Sequence, residues 1–393
     1  MAAAEQTCPG FTFLPPAVPK SPAELAELRE HEPVARVGLP NGEAAWLVTR
    51  YADVRHVLAD GRLSRAAGTA TGAAGAGPVR PQSRSMTAMD PPDHTRLRRL
   101  VMPAFAAVRL ELLRPRIQQA TDALLAGLAH SDPPVDLLAQ LCRPLALIVL
   151  CEVLGVPDLD REAFIDWSYQ GLGAGDADAQ ELLEGYLAEL VDAKLSRPGA
   201  DVLSALGAVR DGRDRLGQCE LFALSCTLLT AGYRPVSNAL GAGALTLLRH
   251  PDQLDRLREN PDLVPSAVEE LLRYTGPGGG STIRIATEDL ELGGRTISAG
   301  EAVIASTTSA NRDRTVFADP DRLDLGRKDN PHLAFGSGSH HCLGAPLARM
   351  VLTIAFGTLL RGFPRLRLAM PVAGPTGAEG TASSGLEALP VRW

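Results

Sequence analysis

The sequence predicts a mainly α fold with a small β portion, on three observations. Segments with apolar residues at helical spacing recur along the chain, several opened by a cap or by proline at the first helical position. Runs with strand character are short and far apart, so any sheet must be assembled from distant parts of the sequence. No internal repeat of fixed period occurs, and residues 1–393 read as a single domain.

The elements follow in order. "SPAELAELREH" offers Ser21 as N-cap, Pro22 at the first helical position and Glu24 to close a capping box. "AAWLVTRY" has strand character. The Gly/Ala/Thr-rich run from Ala66 to Gly77 and the stretch from Gly171 to Gln180 are expected as surface loops. "LLTAGYRPVSNAL", Leu228 to Leu240, belongs to a long apolar helix that Pro235 should kink, because proline takes away the donor to the Ala231 carbonyl. "DQLDRLREN" and "PSAVEELLRYT" return to helical spacing, with Pro265 placed to start the second. "RTISAGEAVIAS" reads as strand around a glycine turn, "APLARMVLTIAFGTLL" as helix, and "LEALPVRW" as a short strand.

A formal net charge of −7 supplies no positive field for phosphates, which argues against nucleic acid as a partner. The apolar run Leu221–Ala231 is too short to cross a bilayer, and Arg234 and Pro235 interrupt it. With no signal-like start, a cytoplasmic location off the membrane is expected. Six cysteines (Cys8, Cys142, Cys151, Cys219, Cys226 and Cys342) form no C-x-x-C pair, which disfavours structural zinc.

Cys342 stands apart. In "AFGSGSHHCLGAPLARM" the glycines 336, 338 and 344 allow close backbone approach, and the cysteine precedes a helix N-terminus whose free N–H groups favour thiolate. That is the setting for an axial thiolate ligand to a metal centre. Residue by residue, the segment resembles the haem-binding loop of the cytochrome P-450 family: Phe335, Gly336, Gly338, His340, Cys342 and Gly344 stand at its spacing.

The resemblance implies a cytochrome P-450 fold with haem b between the long kinked helix and the helix after Cys342, which ligates the iron. It implies that His94, Arg98, Arg284 and His340 hold the haem propionates, and that Glu270, Arg273 and Arg327 form a buried ion network. It further implies dioxygen activation with electrons from a ferredoxin and its reductase, for which Arg96, Arg99 and Arg349 could form a basic docking face.

The chain departs from the family at the kink. Ala231 and Gly232 match, but the acid that delivers protons is Arg234 and its threonine partner is Pro235. Three readings follow. The substrate supplies the missing hydroxyl or water; or Arg234 anchors a substrate carboxylate in a peroxide-using oxidase; or the reaction is a coupling or cyclisation. The first and third are preferred, giving oxidative tailoring of a bulky secondary metabolite, free or tethered to a carrier protein. A non-catalytic haem-based ligand binder or sensor is the alternative of another class. Tyr233, Arg234, Ser237, Gly279, Gly280 and Thr282 are the expected substrate contacts.

Overall fold

The computed structural model describes residues 22–39, 43–70, 85–276, 281–372 and 385–393. Its largest sheet joins segments more than two hundred residues apart. Strands β1 (Val34–Gly38), β2 (Ala44–Val48), β3 (Leu63–Ser64), β5 (Ser281–Ala286) and β8 (Ala302–Ser306) run in the order β1-β2-β8-β5-β3. The β2–β8 pair is parallel, with Leu47 opposite Ile304, and the other pairs are antiparallel. All five residues of β8 are buried, as a central strand of branched and small side chains should be. A second sheet orders β4 (Val135–Asp136), β10 (Pro390–Arg392) and β9 (Arg367–Leu368), so "LEALPVRW" does end in a strand. Strands β6 (Leu290–Leu292) and β7 (Arg295–Ile297) form a hairpin.

Fifteen α-helices occur among the described residues. The first six are α1 (Pro22–His31), α2 (Tyr51–Ala59), α3 (Arg65–Ala70), α4 (Asp93–Val101), α5 (Ala107–Glu111) and α6 (Arg114–Ala129). Next come α7 (Arg143–Leu154), α8 (Arg161–Ser168), α9 (Ala177–Ser196), α10 (Val202–Ala208) and α11 (Gln218–Arg249). The last are α12 (Pro251–Glu259), α13 (Val264–Thr275), α14 (Thr307–Ala310) and α15 (Ala345–Gly362). Pro265 falls in the first turn of α13, as its missing donor favours. The partners of α11 include α7, α9, α13 and α15, and eleven of its buried residues join the largest apolar cluster. It runs on through Pro235 as one 32-residue helix.

Two expectations are corrected. The run starting at Ala66 begins as helix, not loop: Asp90 accepts hydrogen bonds from the backbone of Arg65 (2.9 Å) and Ala66 (3.3 Å) and caps α3 from a distance. Residues 71–77 of that run lie outside the described residues, as does Ser21. The stretch from Gly171 is also ordered. Tyr169–Ala174 continues α8 as a π-helical turn, Gly175 ends it at φ 79°, and Asp176 caps α9 through the Ala179 N–H at 2.9 Å.

Candidate active site

The cysteine loop is closed by its own backbone. The Cys342 N–H donates to the Phe335 carbonyl at 2.9 Å, and the His341 N–H to that of Gly338 at 3.1 Å. Gly336 and Gly338 take φ 72° and 71°, which side-chain-bearing residues rarely adopt. At Gly338 a Cβ would also lie 2.6 Å from the Leu58 carbonyl oxygen, so the loop rests directly on the end of α2. A Cβ on Gly344 would meet no protein atom within 4 Å; packing inside the chain therefore does not explain that glycine. Cys342 is accessible, yet enough protein crowds its sulfur that burial raises the thiol pKa, against the backbone N–H groups of Gly344 and Ala345 and the charge of Arg98. The expected thiolate is thus not secured by the helix end alone; a coordinated metal ion would complete it.

Beside this loop sits a cluster of three arginines and two histidines. The rings of His94 and His340 stack with centroids 3.9 Å apart. Arg98 donates to the His341 carbonyl at 2.6 Å, and Arg284, buried on β5, donates to the carbonyls of Leu63 and Leu58 at 3.1 Å each. Burial, then the charge of Arg65, pushes His340 down to about 3; burial and then Arg284 push Arg65 down to about 10. His94 and Arg284 are lowered too, chiefly by burial. Asp90 is the carboxylate common to Arg65, His94, Arg284 and His340, and it already accepts hydrogen bonds from the Ser64 hydroxyl and the backbone of Arg65 and Ala66. Two polar atoms here, Nδ1 of His94 and Nε of Arg284, are buried without a hydrogen-bond partner. Orphaned nitrogens among these basic side chains fit a ligand carrying carboxylates, since buried polar groups need partners.

Glu270 and Arg273 are fully buried and paired at 2.8 Å, with Arg327 on the same carboxylate at 3.0 Å. Arg273 also donates to the carbonyls of Asn311 (2.8 Å) and Pro320 (2.9 Å), so the predicted network is assembled and ties α13 to the segment before the cysteine loop. The adjacent Glu269 holds His332 at 3.1 Å and Arg349 at 2.7 Å, and the Arg349 guanidinium lies 4.5 Å above the Phe335 ring. Sequence reasoning missed Glu269, His332 and Arg65. None carries a local pattern, because each acquires its role only from partners distant in sequence.

The basic docking face is not found in the form expected. Arg96 is paired with Asp214 (2.8 Å) and Glu220 (2.6 Å), Arg99 with Asp211 (2.6 Å), and Arg349 with Glu269. These side chains fasten the fold, and their charge is matched locally.

On α11, Ala231 is exposed in the middle of a mostly buried helix. Tyr233 and Ser237, at about 200° and 240° around the helix from Ala231, are buried on its far side. That placement does not suit them as contacts for a ligand on the Ala231 face. Arg234 turns to the π-helical turn after α8, donating through Nε (2.9 Å) and a terminal nitrogen to the Leu172 carbonyl. Gly279 and Gly280 lie outside the described residues, and Thr282 is placed only as a β5 position opposite Ala305.

The family model described as Cytochrome P450 matches residues 178–371. The nocardicin C N-oxygenase of Nocardia uniformis subsp. tsuyamanensis is 46% identical over 378 residues, 94% of each chain. The mycinamicin IV hydroxylase/epoxidase of Micromonospora griseorubida is 43% identical, over 93% of this chain and 94% of that one. Among solved structures, the LnmA cytochrome P450 hydroxylase of the leinamycin pathway of Streptomyces atroolivaceus superposes with a TM-score of 0.84. It is 42% identical and is matched over 95% of this chain and 97% of its own.

Proposed function

The chain belongs to the cytochrome P450 family and is a monooxygenase; from that premise we propose that it tailors a bulky secondary metabolite by oxidation, with the substrate helping to deliver protons. The proposal takes residues 1–393 as one haem-thiolate domain in the cytoplasm. The observation that carries the site assignment is the cationic cluster with its two orphaned nitrogens beside the cysteine loop. In this reading Cys342 ligates the iron of haem b, and Arg65, His94, Arg98, Arg284 and His340 hold its two carboxylates. The bound haem supplies dioxygen activation at its iron.

The chain's own residues do the rest. Backbone N–H groups at the start of α15 approach the Cys342 sulfur and stabilise its negative charge. The Glu269–Arg349 pair fixes a guanidinium over the Phe335 ring at the start of the loop. In the net reaction one oxygen atom enters the substrate and the other leaves as water, consuming two electrons and two protons. The electrons come from a ferredoxin and its reductase. Pro235 offers no hydroxyl and Arg234 no carboxyl, so the proton-bearing group on the Ala231 face comes from the substrate or from water that it orders.

The names of the relatives, an N-oxygenase and a hydroxylase/epoxidase acting on nocardicin C and mycinamicin IV, support a secondary metabolite as substrate. Engagement of Arg234 on Leu172 supports this reading over a carboxylate anchor. The test follows the Soret band of the ferric protein and of Arg234→Ala during titration with ligand pairs differing only in carboxylate versus amide. Equal shifts in both proteins support oxygen-dependent tailoring. A shift confined to carboxylates and lost in the variant would move the peroxide-using mechanism to the front.

A further inference from the structure

The feature of α11 that the proposed function leaves unused is its backbone. An interior helical carbonyl at position i is occupied by the N–H of residue i+4. For Ala231 that residue is Pro235, which has none. Ala231 is exposed and Pro235 half-buried, and the two lie one turn apart on one face, so the carbonyl between them opens on that face.

The neighbouring polar groups do not cover it. Thr230 turns its hydroxyl back onto the carbonyls of Cys226 (2.8 Å) and Thr227 (3.2 Å), and Thr227 donates to that of Ala223 at 2.7 Å. Arg234 is held on Leu172. The same face, one turn earlier, carries Thr227, whose hydroxyl meets Ser85 at 3.1 Å. The short helical turn after Ser85, Met86–Ala88, packs on α3 and α4, which bear Arg65, His94 and Arg98. The open carbonyl thus belongs to the side of α11 that looks toward the cationic cluster.

We infer that the Ala231 carbonyl is a substrate-recognition acceptor, selecting substrates that present an O–H or N–H donor over analogues in which that donor is methylated. The inference rests on the proposed function, because it places the substrate on this face. It also gives the proton-delivering group of that reading a fixed seat: the substrate donor docks on a backbone carbonyl that Pro235 keeps open.

The test uses haem-loaded protein and two probes, 4-phenylphenol and its methyl ether, with dissociation constants read from the ferric Soret shift. Wild type is expected to bind the phenol about tenfold more tightly, the scale of one hydrogen bond. Pro235→Ala returns an N–H to the Ala231 carbonyl and is expected to erase that preference, leaving ether binding within about twofold. Arg234→Leu leaves the carbonyl open and is expected to keep it. A preference that survives in Pro235→Ala, or is absent from wild type, overturns the inference while leaving the family function standing. Probes that fail to shift the band of protein with an intact thiolate carbon monoxide spectrum overturn it as well. Loss of the thiolate spectrum in wild type would instead sink the haem-thiolate reading itself.

Discussion

At the scale of single residues, the site is a set of polar groups whose partners decide their charge. Burial alone would raise the pKa of Glu269, but hydrogen bonds from His332 and Arg349 outweigh it and bring the carboxyl from 4.5 to about 2. Its stabilisation is therefore complete above about pH 5 and is lost as the pH falls toward the folded value. Between pH 6 and 3 the wild type is expected to lose about 2 kcal/mol more stability than Glu269→Gln, measured by urea unfolding at each pH. Parallel acid limbs would show that the carboxylate gains nothing from its two partners. Glu270 and Arg273 were legible from sequence because "VEELLRY" resembles the family's Glu-x-x-Arg helix; their spacing alone would equally suit a solvated pair. Glu269 was not, since its partners lie 63 and 80 positions away.

At the scale of elements, the cysteine loop depends on one close approach. Gly338 sits at φ 71° with the Leu58 carbonyl where a Cβ would be, so both the backbone and the contact with α2 oppose any side chain. Gly338→Ala is expected to cost about 2 kcal/mol and to lower haem occupancy after purification, read from the ratio of Soret to protein absorbance. Unchanged occupancy would mean that the loop can lift from α2 without losing its ligand geometry. Helices whose capping and spacing are local, such as α12 and α13, could be placed from sequence alone. The start of α3 could not, because its cap is Asp90, and the π-helical turn at Tyr169–Ala174 looked like a loop by composition. The orientation of Arg234 was equally hidden, since the carbonyl that receives it belongs to another helix's end.

At the scale of the whole molecule, the fold gathers the positive charge of Arg65, Arg98 and Arg284 around the site. Haem carboxylates would offset that charge, and in haem-free protein a divalent anion can partly stand in for them. Replacing chloride by sulfate at equal ionic strength is expected to raise the melting temperature of haem-free protein by about 2 °C more than that of loaded protein. Equal shifts would indicate that Arg65, Arg98 and Arg284 are already balanced from within the chain. The mainly helical architecture was visible in the sequence, and so was the family resemblance around Cys342, because each is written within a short window. The ion pairs that consume Arg96, Arg99 and Arg349 were not, because a guanidinium looks the same in sequence whether it is free or matched.

The parallel pairing of β2 with β8 also sets an order of assembly. Residues 44–48 must wait for residues 302–306 before the central sheet can close, and contacts so distant along a chain form late. Arg284 is carried on β5, between β8 and β3, and grips the carbonyl of Leu63 on that edge strand. Arg284 therefore reaches its place beside the cysteine loop only when segments from both ends of the sequence have met.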